Sequence, residues 1–376
     1  MIDYFPLDIA YDAAFFDREY ERKRLKYNIQ SNTHTLVTSP RRYGKTSLVF
    51  RSIAELDVIG VQIDMMVATD PGKIKSIILD GIGNATSAIA VGKAKLVDLA
   101  RKIFQPFGMV ESMELGELAL KFYPATQKAA HLIVLEALQR LEKLAADTKH
   151  KVVLFLDEYQ HVLDIKGIAE FEAALRSFAQ TAKHVVFVFS GSNRHILQEM
   201  FSDKSRPFYN MCDHLLLNKI SAQDYQQHLE KLSKKQWKKK LSTETLEAIF
   251  TFTARHSYYV NLLCRSLWQK EQLITADDVF EEWKIIAAEK RYEVSSDFEK
   301  ITPIQRGILV ELAREPFAHP TSKAVLVRLN ASIAGVAHAM ADLLRRDYIF
   351  KNDGEPYRVL NPIMEYILQQ QAKSLS

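Results

Sequence analysis

Most of the chemistry this chain could do is concentrated in Ser39-Pro-Arg-Arg-Tyr-Gly-Lys-Thr46 and the Ser47 that follows. The stretch comes directly after a short apolar run, Thr35-Leu-Val-Thr38, and opens a segment of helical character, so it reads as a strand–loop–helix turn that holds phosphate. Gly44 lets the backbone of Pro40, Arg41, Arg42 and Tyr43 wrap an anion with its N–H groups. Lys45 would neutralise phosphate charge, and the Thr46 hydroxyl can ligate Mg²⁺. The helix start adds a favourable dipole. Ser39 stands where the pattern normally has its first glycine. Far downstream, Val152-Val-Leu-Phe-Leu-Asp157-Glu158 is an apolar run ending in two carboxylates. Such a strand would deliver Asp157 to the sheet edge beside the loop, to hold Mg²⁺ through water. Glu158 would then polarise the water that attacks a γ-phosphate.

The elements that must position these groups are legible as strands at wide spacing: Thr35–Thr38, Val58–Asp64, Lys151–Asp157, His184–Ser190 and Asp213–Leu217. The third and fourth are continuously apolar rather than alternating, the mark of parallel strands covered on both faces. Leu132, Leu135, Leu138, Leu141 and Leu144 give the helix before the third strand its apolar face. Strands joined by long helical connections define a doubly wound α/β core over residues 31–217, with 1–30 as a charged lead-in to its first strand. Residues 83–125 form an insertion that the pattern does not place. From 218 to 295 the strand signals stop and the chain reads as helices. Residues 296–376 have another plan: a capping box at Thr302-Pro-Ile-Gln305, helices around 321–329 and 332–346, strands Tyr348–Phe350 and Tyr357–Leu360 about an Asn352-Asp-Gly354 turn, and a final helix from Pro362. Three helices and a hairpin in that order form a winged helix.

Composition narrows the class. The chain has 376 residues, 47% of them hydrophobic and 26% charged, which suits two or three packed soluble domains and excludes disorder. Two cysteines exclude a disulfide scaffold, and no Cys/His spacing suggests zinc. Without a signal-like start or an apolar run of membrane length, the chain is expected to be cytoplasmic, with no membrane partner. The net charge of +4 neither requires nor forbids nucleic acid.

Phe16-x-Arg18-Glu19-x-Glu21, Pro40–Ser47, Leu156-Asp-Glu-Tyr-Gln160 and Phe189-Ser-Gly-Ser192 together resemble the archaeal-type ATPase family of the AAA+/STAND group of P-loop ATPases. The likeness spans essentially the whole chain. It implies a P-loop NTPase parallel sheet with a helical lid, which 218–295 would form, and a C-terminal winged helix, with ATP and Mg²⁺ as ligands. It also implies a polar sensor at the end of the fourth strand, to be filled by Ser190, Ser192 or Asn193. An arginine finger is implied near Asp203–Tyr209, where Arg206 is the candidate, although Phe-Tyr-Asn-Met211 departs from the family's usual Leu-Tyr-Gly-Arg. In the lid, Arg255-His256-Ser257 occupies the segment where relatives carry Gly-x-Pro near adenine, so His256 or Arg255 would face the nucleotide. Arg18 and Glu21 match an upstream motif that flanks the adenine pocket.

The expected function is a Mg²⁺-dependent ATPase acting as a nucleotide-driven switch on a protein partner. A DNA-associated regulator or loader that uses ATP to self-assemble, and a nucleotide-holding scaffold, are the alternatives. Lys231–Lys240, with six lysines around Trp237, could touch nucleic acid. The third winged-helix segment, Ser332–Asp342, has no Lys or Arg where base-reading residues normally sit. The absence of an Asn-Lys-x-Asp motif disfavours a GTPase. If the loop is the phosphate site, Lys45→Ala should abolish nucleotide binding in a fluorescent-nucleotide titration; unchanged ATP affinity would sink the assignment.

Overall fold

Val152–Leu156 and Val185–Phe189 contain no polar side chain, and a run apolar on both alternating faces has to be covered on both sides. In the computed structural model, which describes residues 3–11, 14–114, 117–124, 128–351 and 354–374, both are strands buried along their whole length. The chain divides into two compact units: Arg18–Ser39 with Lys45–Leu217, and Met1–Asp17 with Pro40–Gly44 and Asn218–Ser376.

The first unit runs α1 (Glu19–Gln30), β1 (Thr35–Thr38), α2 (Lys45–Ala54), β2 (Ile59–Asp64), α3 (Pro71–Ala90), α4 (Ala94–Phe104), β3 (Met109–Glu114), β4 (Glu117–Phe122) and α5 (Ala130–Thr148). It continues with β5 (Val152–Asp157), α6 (Ile168–Ala179), β6 (Val185–Gly191), α7 (Arg194–Ser202) and β7 (Asp213–Leu216). Five strands pair in parallel in the order β2-β5-β6-β1-β7, the doubly wound α/β sheet expected. Registers Thr38–Gly191 and Leu156–Phe189 bring the C-terminal ends of β1, β6 and β5 to one edge.

The apolar face of α5 differs from the five-leucine reading. Leu138, Leu141 and Leu144 are buried, but Leu132 is 46% exposed, and Ile133, Val134 and Ala137 take its place. A strict three-residue step drifts around a helix of 3.6 residues per turn, so the first leucine leaves the stripe. The unplaced segment 83–125 begins inside α3 and goes on through α4 to the β3–β4 hairpin. The hairpin meets α3 backbone to side chain: the amide of Leu120 donates to Ser87 Oγ at 2.9 Å, and Ser87 donates to the Gly83 carbonyl.

The second unit holds α8 (Ala222–Trp237), α9 (Thr243–Thr253), α10 (Ser257–Leu267), α11 (Ala276–Glu289), α12 (Arg291–Glu299), α13 (Pro303–Arg314), α14 (Lys323–Leu329) and α15 (Ile333–Arg345). A short hairpin of β8 (Ile349–Phe350) and β9 (Arg358–Val359) leads to α16 (Pro362–Ser374). Asn352 and Asp353 of the anticipated turn lie outside the described residues. The capping box at the start of α13 forms, with Thr302 and Gln305 bonded reciprocally. Trp283, Val260, Leu263, Ile308 and Leu343 centre the core. Phe5 joins it from the N-terminal segment, edge-on to Trp268 at 4.8 Å, and Phe16 stacks on His228 at 3.7 Å. Among the described residues, no single helix is long and apolar enough to cross a membrane.

At Gly83 the backbone of β4 comes close to α3. A Cβ there would lie 2.2 Å from the Leu120 carbonyl oxygen, which is backbone and cannot swing aside. Helix propensity alone would favour Gly83→Ala by up to about 1 kcal/mol. Overpacking at about 1–3 kcal/mol should win, so thermal unfolding should show a net loss of stability. A raised Tm would mean the hairpin slides freely on α3.

Candidate functional site

Asp157 ends a fully buried strand and is itself buried, so its carboxylate must find donors within the protein. Four converge on it. Oδ2 accepts from Gln62 Nε2 at 2.8 Å, from β2, and from Thr46 Oγ1 at 3.1 Å, in the first turn of α2. Oδ1 accepts from the Glu158 amide at 3.1 Å and from the Ser190 hydroxyl at the end of β6. Lys45 is buried, with Nζ 3.4 Å from the Ser39 carbonyl and 3.9 Å from Glu158 Oε1. Glu158 has left-handed backbone (φ 52°), and its Oε2 accepts from Gln160 Nε2 at 2.5 Å and Ser192 Oγ at 3.1 Å. Lys45, Thr46, Asp157, Glu158, Ser190 and Ser192 thus form one constellation within the sheet unit.

This donor set suits a hard divalent cation and a polyphosphate. A hydroxyl and a carboxylate oxygen 3.1 Å apart are the kind of oxygen ligands Mg²⁺ takes, and Lys45 offers the adjacent positive charge. Gly44, at φ 91°, adopts a conformation open mainly to glycine, and a Cβ there would meet nothing within 4 Å. Ser47 is buried just inside α2.

Within the helical unit, the loop residues Arg42 and Tyr43 meet the first turn of α10. The Arg42 guanidinium lies 4.0 Å over the Tyr258 ring, a cation–π distance, and the buried Tyr43 sits edge-on to His256 at 4.7 Å. Burial, reinforced by the positive charges of Lys219 and Arg42, pushes the His256 imidazole down to about 3, so it is neutral at physiological pH. Pro40 is buried and Arg41 is exposed.

Other anticipated residues lie elsewhere. Asn193 caps α7, its side chain accepting from the Ile196 amide at 3.1 Å. Arg206 is half-buried and pairs with Glu172 Oε1 at 2.6 Å, where Glu172 is fully buried. Arg18 pairs with Glu21 at 3.2 Å and is itself buried. Sequence reasoning missed Gln62, Gln160 and Glu172. Gln160 stands inside the Asp-Glu-Tyr-Gln run already singled out, and its spacing from Glu158 was the available signal. Nothing local to β2 distinguishes Gln62; only the pairing of Asp64 with Asp157 reveals that it shares their edge.

No family model matches the chain, and no curated protein does. Solved structures match it along nearly its whole length. One is the Walker-type ATPase PABY2304 of Pyrococcus abyssi, at 15% identity and a TM-score of 0.70, over 97% of this chain and 99% of that one. Another is the ORC2 protein of Aeropyrum pernix, solved as ADPNP–ADP complexes, at 14% identity and a TM-score of 0.57, over 98% of each chain. Likeness at such identities establishes the fold, and the fold is that of the P-loop NTPases.

The Glu172–Arg206 pair generates a test of its own. Burial raises the Glu172 carboxyl above its usual range, and Arg206 opposes that rise. A raised carboxyl favours the folded state at low pH and disfavours it as pH climbs from the unfolded value of 4.5 through the folded one. Removing Arg206 widens this window, since a buried carboxylate without its partner costs on the order of 3 kcal/mol. Urea unfolding of Arg206→Ala should therefore show a deficit that grows above pH 4.5 and is relieved by adding Glu172→Gln. A deficit indifferent to pH would show that the pair carries no such charge.

Proposed function

We propose that this protein is a Mg²⁺-dependent ATPase whose nucleotide state is transmitted to its helical unit. The observation that carries the reading is the convergence of Thr46 and Asp157 at 3.1 Å beside the buried Lys45, with Glu158 Oε1 facing that lysine. Lys45 and the amides of Pro40–Gly44 would hold the β- and γ-phosphates, while Thr46 and Asp157 would hold Mg²⁺. Bound Mg²⁺ supplies neutralisation of phosphate charge. Among the described residues, no group of three or more His, Cys, Asp or Glu gathers as a metal site, so the cation would complete its shell with phosphate and water oxygens. Glu158 would orient water and take its proton. Ser190 would keep Asp157 in place, and Ser192 is the better candidate for the sensor because it touches Glu158. Arg206 could serve a neighbouring copy only by giving up Glu172, so one chain is the catalytic unit in this reading.

Residues 31–217 act here as the ATPase core, 218–295 as the lid, and 296–376 as a winged helix; the order α13-α14-α15-β8-β9 supports the last. A protein partner fits better than DNA. The exposed positions of the first part of α15 are Ser332, Ile333, Ala334, Ala337, His338 and Ala341, none of them lysine or arginine, while Arg345 pairs with Asp342 at 2.8 Å. In the lysine-rich stretch, the Trp237 indole donates to the Lys270 carbonyl at 3.0 Å and packs 5.0 Å from Trp268, which takes it away from base stacking.

The experiment is steady-state ATP hydrolysis against protein concentration, with and without double-stranded DNA. We expect Mg²⁺-dependent turnover that DNA does not stimulate and that falls by about 10²–10⁴-fold in Glu158→Gln with nucleotide affinity retained. Equal turnover in Glu158→Gln would remove the base assignment. A rate rising with both concentration and DNA would favour the loader.

A further inference from the structure

Two residues beyond Glu158, the chain folds a second side chain back onto it. Gln160 lies on the single 3-10 turn Tyr159–Val162. Its Nε2 donates to Glu158 Oε2 at 2.5 Å and to Ser192 Oγ at 3.3 Å, and Ser192 Oγ donates to the same carboxylate oxygen at 3.1 Å. The three groups close a triangle on Oε2, while Oε1 stands 3.9 Å from Lys45 Nζ. Chemistry determines which way the Gln160 amide points, because the flipped amide would set its carbonyl oxygen against the carboxylate. Gln160 Oε1 is buried without a hydrogen-bond partner, a cost accepted so that the nitrogen faces Glu158.

Room for the amide depends on Gly191. A Cβ at that position would lie 2.0 Å from Gln160 Oε1 and 2.5 Å from Leu197 Cδ1. Gly191 does not need left-handed backbone, so the space it leaves is taken up by the ends of two side chains, and a Cβ there would have to displace the Gln160 amide and the Leu197 methyl.

Building on the reading of Glu158 as the base, we propose that Gln160, seated over Gly191 and joined by Ser192, is a positioning residue that pins Glu158 by Oε2 and keeps Oε1 turned toward the phosphate-loop lysine. A carboxylate gripped at one oxygen by two donors no longer rotates freely about its terminal bond. The second oxygen is thereby held ready, and displacements of about 1 Å in such a group can cost about 100-fold in rate.

Gln160→Met keeps length and burial but deletes the donor. Its kcat for ATP hydrolysis should fall by about 10–100-fold, with KM within about two-fold of wild type. Gly191→Ala keeps Gln160 but displaces its amide, and should give the same split. Combining the two should be no worse than either alone, because both remove one contact. The nucleotide-free protein provides a readout independent of turnover. In NMR spectra, the Gln160 side-chain amide protons, assigned by their loss in Gln160→Met, should exchange slowly in the wild type and lose that protection in both Glu158→Ala and Gly191→Ala. Amide signals indifferent to Glu158→Ala would overturn the proposal, as would kcat unchanged or raised in both Gln160→Met and Gly191→Ala with binding intact. Signals that respond as expected while Glu158→Gln turns over at the wild-type rate would instead sink the base assignment and leave the Gln160 contact established.

Discussion

A carboxylate at the buried end of an all-apolar strand is largely withdrawn from solvent, and an ionised group left there without donors would be prohibitively costly. Asp157 is such a group, and its donors come from β2, α2, β6 and its own next amide. Three separate elements must therefore arrive in register before the charge is satisfied. The parallel pairing of β5 with both β2 and β6 brings two of them within reach, and the turn out of β1 into α2 brings the third. The site and the sheet are thus specified together.

Glu158 is treated differently although it is the next residue. Left-handed backbone at Glu158 turns it out of the strand direction, and its partners are side chains from a turn and from the segment just past β6. One carboxylate is locked on both oxygens by the sheet; its neighbour is gripped on one by Gln160 and Ser192. That difference is consistent with the roles proposed for them: a cation ligand gains from rigidity throughout, whereas a group that exchanges a proton needs one oxygen turned toward the reactants.

Much of this was readable from the chain. Continuous apolar runs identified β5 and β6, because burial on both faces leaves no alternation to confuse them, and each carried its polar residues to the correct end. The capping box at Thr302 named the first residue of α13. Reading failed where tertiary contacts decide. Gln62 and Glu172 look like ordinary polar residues, and only pairing across the sheet or against Arg206 gives them meaning. The insertion resisted because α3 continues through a stretch with glycines at 81 and 83 that serve close packing, against Ile63 and Leu120, rather than chain reversal. Leu132 failed because a three-residue count is only an approximation to helical periodicity.

Neither compact unit is a continuous piece of chain. The helical unit takes Phe5 and Phe16 from the first residues and Arg42 and Tyr43 from the loop, and closes only with segments from Asn218 onward. During synthesis, the N-terminal strap therefore emerges roughly 200 residues ahead of the helices that bury it, and its aromatic side chains must wait in solvent while the sheet forms. The sheet can finish early, but the body that receives the strap is completed only after the helices from Asn218 onward have been made, which leaves those early aromatics in need of shielding while the sheet forms.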